Sequence, residues 1–430
     1  MTQKPFGLSS AWSARLCNAS IWLYTLWVLL PAVQRLGKAV TGVLAIALFG
    51  VGVLLDREYL RRRWVSLTLR VVCALCMPLI LYFLCRRGTS AFVSYYCQQG
   101  MFWFPLIFCA YARERGDARI TRGLKWALLG AMTLTALTTT GWLIEGMLRG
   151  DRVYAYSRAL GSAEPNREPF INELMLRNIG GYDFIYALML ALPILCYLAG
   201  KTRGWQRAGW LSSVALALIC VALSQYTYAL IFAVGIVGTV VLGWGFRAIA
   251  RGMKKRLSVG ASLLMTLPLY AALYLLRVPL LEWAISVVNQ LGLGNFSISL
   301  TQLLDAVKGV AATEATRLDY YRLPLQSIAG SPLLGGLLGQ RPALSQHSDL
   351  LDLVAALGVL GAACFGGMVW LTGRGTLKGL GNCEALPYFL LQYVALAAMA
   401  LLGTVTYSRD VSLTLCLYAV LLIPVPQPGQ

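Results

Sequence analysis

The feature that most constrains this chain is a series of long apolar runs carrying few charges, such as Leu16 to Val33, Val65 to Cys85 and Ser258 to Leu276. Each is long enough, at about 1.5 Å per residue, to cross a hydrocarbon layer of roughly 30 Å. In lipid a backbone must satisfy its own polar groups, so helices or a closed barrel are the available solutions. A barrel needs alternating apolar and polar residues, and these runs do not alternate. The chain therefore reads as an all-α polytopic membrane protein.

Twelve spans are expected, at about 16–33, 39–55, 64–85, 91–111, 124–143, 179–199, 208–224, 226–245, 258–276, 349–372, 386–403 and 411–425. The pair 208–224 and 226–245 reads either as two spans or as one long helix plus a broken one, with a turn at Gln225 to Thr227. Residues 1–430 then form a single integral-membrane domain. The N-terminal MTQKPFGLSS lacks the cleavage pattern of a signal peptide, so the first span is expected to stay.

The net charge of +19 invites a nucleic-acid reading. Its placement argues against one, because the basic residues lie in short segments between apolar runs rather than on one folded surface. With the N-terminus inside, the cytoplasmic segments hold 21 Lys and Arg against five acids, and the outer segments hold 15 against twelve. The most basic short loops fall inside, which makes both termini cytoplasmic. Cys73, Cys76, Cys109, Cys196, Cys220, Cys364 and Cys416 lie in apolar spans, where a thiol acts as a small hydrophobe. Cys85 and Cys97, near the outer face, read as two free thiols, with a disulfide between them as the alternative.

Two outer segments exceed what a connector needs: 145–178, and 277–348 between spans nine and ten. Long loops in a compact protein are usually functional. Both carry amphipathic helix-like pieces, and no internal repeat of the transporter kind is evident. In the second loop Arg317 and Arg322 flank Tyr320 and Tyr321, and Ser331-Pro332-Leu333-Leu334-Gly335-Gly336 makes a turn. Arg341 follows, then His347-Ser348 at the mouth of the tenth span, which runs into Leu357-Gly358-Val359-Leu360-Gly361. His347 is the sole histidine in the protein.

In order and spacing this set resembles the O-antigen ligase and polymerase superfamily, the Wzy and WaaL-like membrane glycosyltransferases. Two departures stand out. Where many members carry a Ser-Arg-Gly turn between middle spans, this chain reads Ser224-Gln225-Tyr226-Thr227, without the arginine. Where members usually have Asn after the histidine, it has Ser348.

The resemblance implies a GT-C-like helical fold in a bacterial inner or plasma membrane. It also implies an undecaprenyl-diphosphate-linked oligosaccharide as donor, membrane lipid around it, and other polysaccharide-assembly membrane proteins as partners. Transfer to an acceptor hydroxyl requires the departing diphosphate to be neutralised. Arginine is suited to this because its guanidinium is always charged and pairs with phosphate oxygens. Arg317, Arg322 and Arg341 surround the motif, and Arg177 and Arg409 lie on the same outer face. A base must take the acceptor's proton, and His347 fits by type and place. Its plainer reading is a surface histidine beside Asp349, which would cap the next helix.

Tyr320 and Tyr321 are candidates for stacking on sugar rings, although interfacial anchoring is the commoner role of such aromatics. Asp183, in GGYDFIYAL, needs either a partner or a cavity, and is placed at the donor groove or against a nearby arginine. Arg70 reads as snorkelling toward the inner surface. No DxD motif is present, and Asp56-Arg57-Glu58 reads as a solvated cytoplasmic loop, so a metal-independent, cofactor-free site is expected. The favoured activity is polymerisation of lipid-linked repeat units. Ligation to a different acceptor and transport of lipid-linked sugar are the alternatives.

Overall fold

The computed structural model describes residues 8–56, 104–105, 107–108, 118–149, 168–224, 226–290, 294–308, 317–338, 344–345, 347–380, 384–403, 405 and 408–421. The expected span 64–85 and most of 91–111 lie outside these, as do Arg70, Cys85 and Cys97. All elements among the described residues are helical.

Five of the helices are long and apolar enough to cross a membrane, or seven if two bent pairs each count as one span. Twelve is thus not the number among the described residues.

The first two helices, α1 (Leu8–Leu29) and α2 (Pro31–Leu55), form a hairpin. The expected run 16–33 is cut at Leu30, because a residue before proline is pushed to extended backbone and Pro31 then opens the next helix. The bend between the two helical pieces is 107°. Ser13, Cys17 and Ser20 share one face of α1. Ser13 donates to the Gly52 carbonyl at 2.6 Å and Ser20 to that of Ala45 at 2.5 Å. Small polar side chains of this kind hold apolar helices together where no water-driven force is available.

After α3 (Ala118–Leu148) and the short α4 (Glu168–Leu176) comes α5 (Tyr182–Lys201), which is buried on every side from Phe184 to Ala199. Around it pack α6 (Gly204–Leu223), α7 (Thr227–Gly252), α14 (Leu386–Leu402) and α15 (Arg409–Leu421). Gln392 on α14 donates to the Leu190 carbonyl of α5 at 2.9 Å. The stretch from 208 to 245 is two helices, the first ending at Leu223 and the second beginning at Thr227.

The expected span 258–276 is broken into α8 (Val259–Leu264) and α9 (Leu267–Leu275), with Pro268 in the first turn of α9. The segment 277–348 contains α10 (Arg277–Gln290), α11 (Gly294–Lys308), α12 (Arg317–Gly330) and a 3₁₀ turn at Gly335–Leu338. It leads into α13 (Asp349–Leu380), which is interrupted at Gly358.

Candidate functional site

The two glycine-rich halves of the motif are locked together. Gly335 and Gly358 both have positive φ, +52° and +66°. A Cβ on Gly335 would lie 2.4 Å from the Gly358 nitrogen, and one on Gly358 would lie 2.3 Å from the Leu333 carbonyl oxygen. The break at Gly358 frees two amides of α13, and the turn satisfies them. Val359 N–H donates to Pro332 O at 2.9 Å and Leu360 N–H to Leu333 O at 3.2 Å. Irregular backbone within an apolar helix persists where protein fills the gap.

Above this lock, the loop into α13 is tied by Ser345 and Asp352. One oxygen of the buried Asp352 carboxylate accepts from the Ser345 amide at 2.8 Å and from its hydroxyl at 3.0 Å. The Ser345 hydroxyl oxygen in turn accepts from the amides of His347 at 3.0 Å and Ser348 at 3.2 Å. The half-buried His347 ring rests against Tyr320 of α12, centroids 4.5 Å apart. Tyr321 is half-buried and Arg322 exposed on the same helix. Arg317 is the first residue of α12, and Arg341 lies outside the described residues.

The cap of α13 is not Asp349. Ser348 fills that role, its hydroxyl accepting from Leu351 N–H at 3.4 Å. Asp349 instead reaches across to the turn between α14 and α15. Its buried carboxylate accepts from Val405 N–H, and its own amide donates to Gly403 O at 3.1 Å. This turn ends at Ser408, whose hydroxyl accepts from Val411 N–H at 3.3 Å and so caps α15.

Arg409, the next residue, stacks its guanidinium over Trp27 at 4.7 Å. The Gln34 amide, with its oxygen turned inward, accepts from both terminal nitrogens of Arg409, one of them at 2.9 Å. Asp183 lies in electrostatic range of Arg409 and accepts from Ser408, with Asp410 alongside. Asp183 and Arg409 are therefore together, and both are half-buried.

The start of α5 is fixed from α3. Thr138 donates to Asn178 O at 2.6 Å, Asn178 donates its side-chain amide to Thr135 at 2.8 Å, and Gly180 N–H donates to Thr139 at 2.7 Å. Arg177, on this turn, pairs with Glu173 at 2.7 Å and stacks over Trp142 at 4.8 Å. Tyr226, from the turn where the resembled family carries its arginine, packs on Tyr182 with centroids 4.7 Å apart.

Gln34, Trp27, Ser345 and Asp352 were not singled out by the sequence. A serine three residues before Ser348, ahead of an apolar run, is the one available signal for Ser345. Trp27 and Gln34 carry none.

Asp56 is buried, 2% exposed, at the end of α2, so it is not part of a solvated loop; Arg57 and Glu58 lie outside the described residues. Among the described residues no three His, Cys, Asp or Glu side chains gather where a metal would be held.

No family model, curated protein or solved structure matches this chain. The class that the described residues define is an all-helical chain with several apolar helices of membrane-spanning length.

Proposed function

We propose that this chain is an integral-membrane glycosyltransferase acting at the extracytoplasmic face on an oligosaccharide carried by a lipid diphosphate, with chain polymerisation as the favoured reaction. The full chain would then supply about twelve spans in a GT-C-like arrangement. The observation that carries the reading is the bridge from Asp349 to Val405. It ties the loop of His347 and the turn of Arg409 to one end of the helix bundle, although the sequence offers no link between them.

In this reaction the acceptor hydroxyl loses its proton to His347 as its oxygen bonds to the donor's anomeric carbon, and the lipid diphosphate departs. Tyr320 against the imidazole and Ser345 beneath its backbone limit how the ring turns. Arg317, Arg322, Arg341 and Arg409 neutralise the departing diphosphate, with Arg177 further along the same rim. Preorganised cations in a water-poor site act strongly on developing charge. Asp183 orients Arg409, and Tyr320 and Tyr321 face the sugar chain.

Full-length protein in vesicles, supplied with lipid-diphosphate oligosaccharide, should make longer products. His347→Ala should lower that rate by about 100-fold or more while donor binding is kept. Extension at the normal rate would remove the imidazole from the chemistry.

Ligation differs only in the acceptor, which the same assay identifies. A transport reading draws on the break in α13, since discontinuous helices line many transport sites. Here the freed amides are taken by Pro332 and Leu333, which fill the gap a cargo would need. Movement of labelled lipid-linked sugar without any new glycosidic bond would favour transport over transfer.

A further inference from the structure

The chain between α7 and the candidate site includes two helices, α9 and α10, on which no residue is buried. The pair α8–α9 runs from the basic segment Lys254-Lys255-Arg256 to Arg277, and its reach of roughly 26 Å suits a slightly short span. No residue of α9 is buried, and its sequence LPLYAALYL is apolar around the whole circumference. It is held to α7 through the Tyr270 hydroxyl, which donates to Gly235 O and meets the Thr239 hydroxyl, both at 2.7 Å, and its other, exposed sides are of a composition that hydrocarbon covers. At Leu276 the chain turns by 77° into α10; with α8–α9 along the membrane normal, that turn lays α10 nearly parallel to the bilayer plane.

The residues at this turn are those of a membrane interface. Arg277 stacks over Tyr274 at 4.3 Å and donates to its carbonyl at 3.0 Å. Aromatic and basic side chains together mark the level where acyl chains give way to headgroups. No residue of α10 is buried.

At 100° per residue Glu282, Ser286, Asn289 and Gln290 fall on one arc, and Leu280, Trp283 and Val287 on the next. Trp283 is 67% exposed and Leu280 38%. The remaining side faces α11, to which Glu282 is tied through Lys308 at 2.6 Å. The apolar arc is one tryptophan and one leucine wide beside a carboxylate. That is far below the several hundred Å² per partner that a stable protein interface needs, but it suits shallow insertion among lipids.

We propose that α10 is an interfacial anchor. It lies in the headgroup layer with Leu280 and Trp283 inserted at the acyl-chain boundary, Arg277 at phosphate depth, and the Glu282–Ser286–Asn289 arc in water. The bilayer then sets the height of the α10–α11 hairpin, independently of what reaction the protein performs.

The test uses the full chain in phosphatidylcholine–phosphatidylglycerol vesicles. Emission of Trp283 is obtained as the difference between the unsubstituted protein and Trp283→Phe. Lipids brominated high on the acyl chain should remove most of that difference emission, lipids brominated near the chain end should remove less, and aqueous iodide should leave it nearly unchanged. Quenching by iodide would overturn the proposal by placing α10 in water. Resistance to both quenchers would overturn it by placing a protein surface, such as a second copy, over Trp283.

Discussion

Around His347 the chain uses one carboxylate oxygen, that of Asp352, to organise three other residues. Asp352 holds the amide and hydroxyl of Ser345, and that hydroxyl holds the amides of His347 and Ser348. The carboxylate is buried, so its loss strands donors away from water. Asp352→Ala should cost about 1–3 kcal/mol of stability, read as a lowered Tm in detergent. Asp352→Asn retains an acceptor oxygen and should recover most of the loss; equal destabilisation by both variants would show that the charge, not the hydrogen bonding, holds the loop. At this scale the sequence was partly legible. His347 stands out by being single, and Asp183 by being a charge in an apolar run. Their settings were not legible, because Trp27 and Gln34, which meet Arg409, come from the opposite end of the chain and no spacing rule reaches that far.

The helices obey local rules where proline writes the boundary and depart from them where a tertiary partner does. The ends at Pro31 and Pro268 follow from local chemistry, although the expected spans 16–33 and 258–276 run through both prolines. The break at Gly358 does not. Glycine inside a helix is usually tolerated, and only the docking of the Pro332–Gly335 turn makes the irregular backbone stable. At φ 66° and ψ 176° Gly358 occupies a region essentially closed to other residues, and a Cβ there would meet backbone at 2.3 Å. Gly358→Ala and Gly335→Ala should each destabilise the protein by about 3 kcal/mol or more. Gly366→Ala, where a Cβ meets nothing within 4 Å, should be neutral or slightly stabilising. Thermal unfolding of the three variants checks this ranking, and a Gly358→Ala protein as stable as Gly366→Ala would mean that the turn is not locked to the helix. The LGVLG pattern was visible in the sequence; that its first glycine interrupts a helix was not.

For the whole molecule the decisive quantity is which side of the membrane the rim of His347 and Arg409 faces. Helical class and the positions of five long apolar helices followed from apolar run length, since lipid leaves backbone few choices. Orientation rests on charge alone, through the excess of Lys and Arg in the short segments assigned to the cytoplasm. Lys254 in the α7–α8 turn and Ser286 on α10 are both exposed and stand at opposite ends of the α8–α9 pair, so they report the two faces. An impermeant maleimide added to intact cells should label Ser286→Cys and spare Lys254→Cys, with both labelled once detergent opens the membrane. Both variants are made with Cys85 and Cys97, the expected outer-face thiols, replaced by serine, and that parent gives the background, with Cys17, Cys196, Cys220 and Cys416 buried. The reverse pattern would turn the rim toward the cytoplasm. An extracytoplasmic lipid-linked donor would then be out of reach of His347, whatever the local geometry of the site.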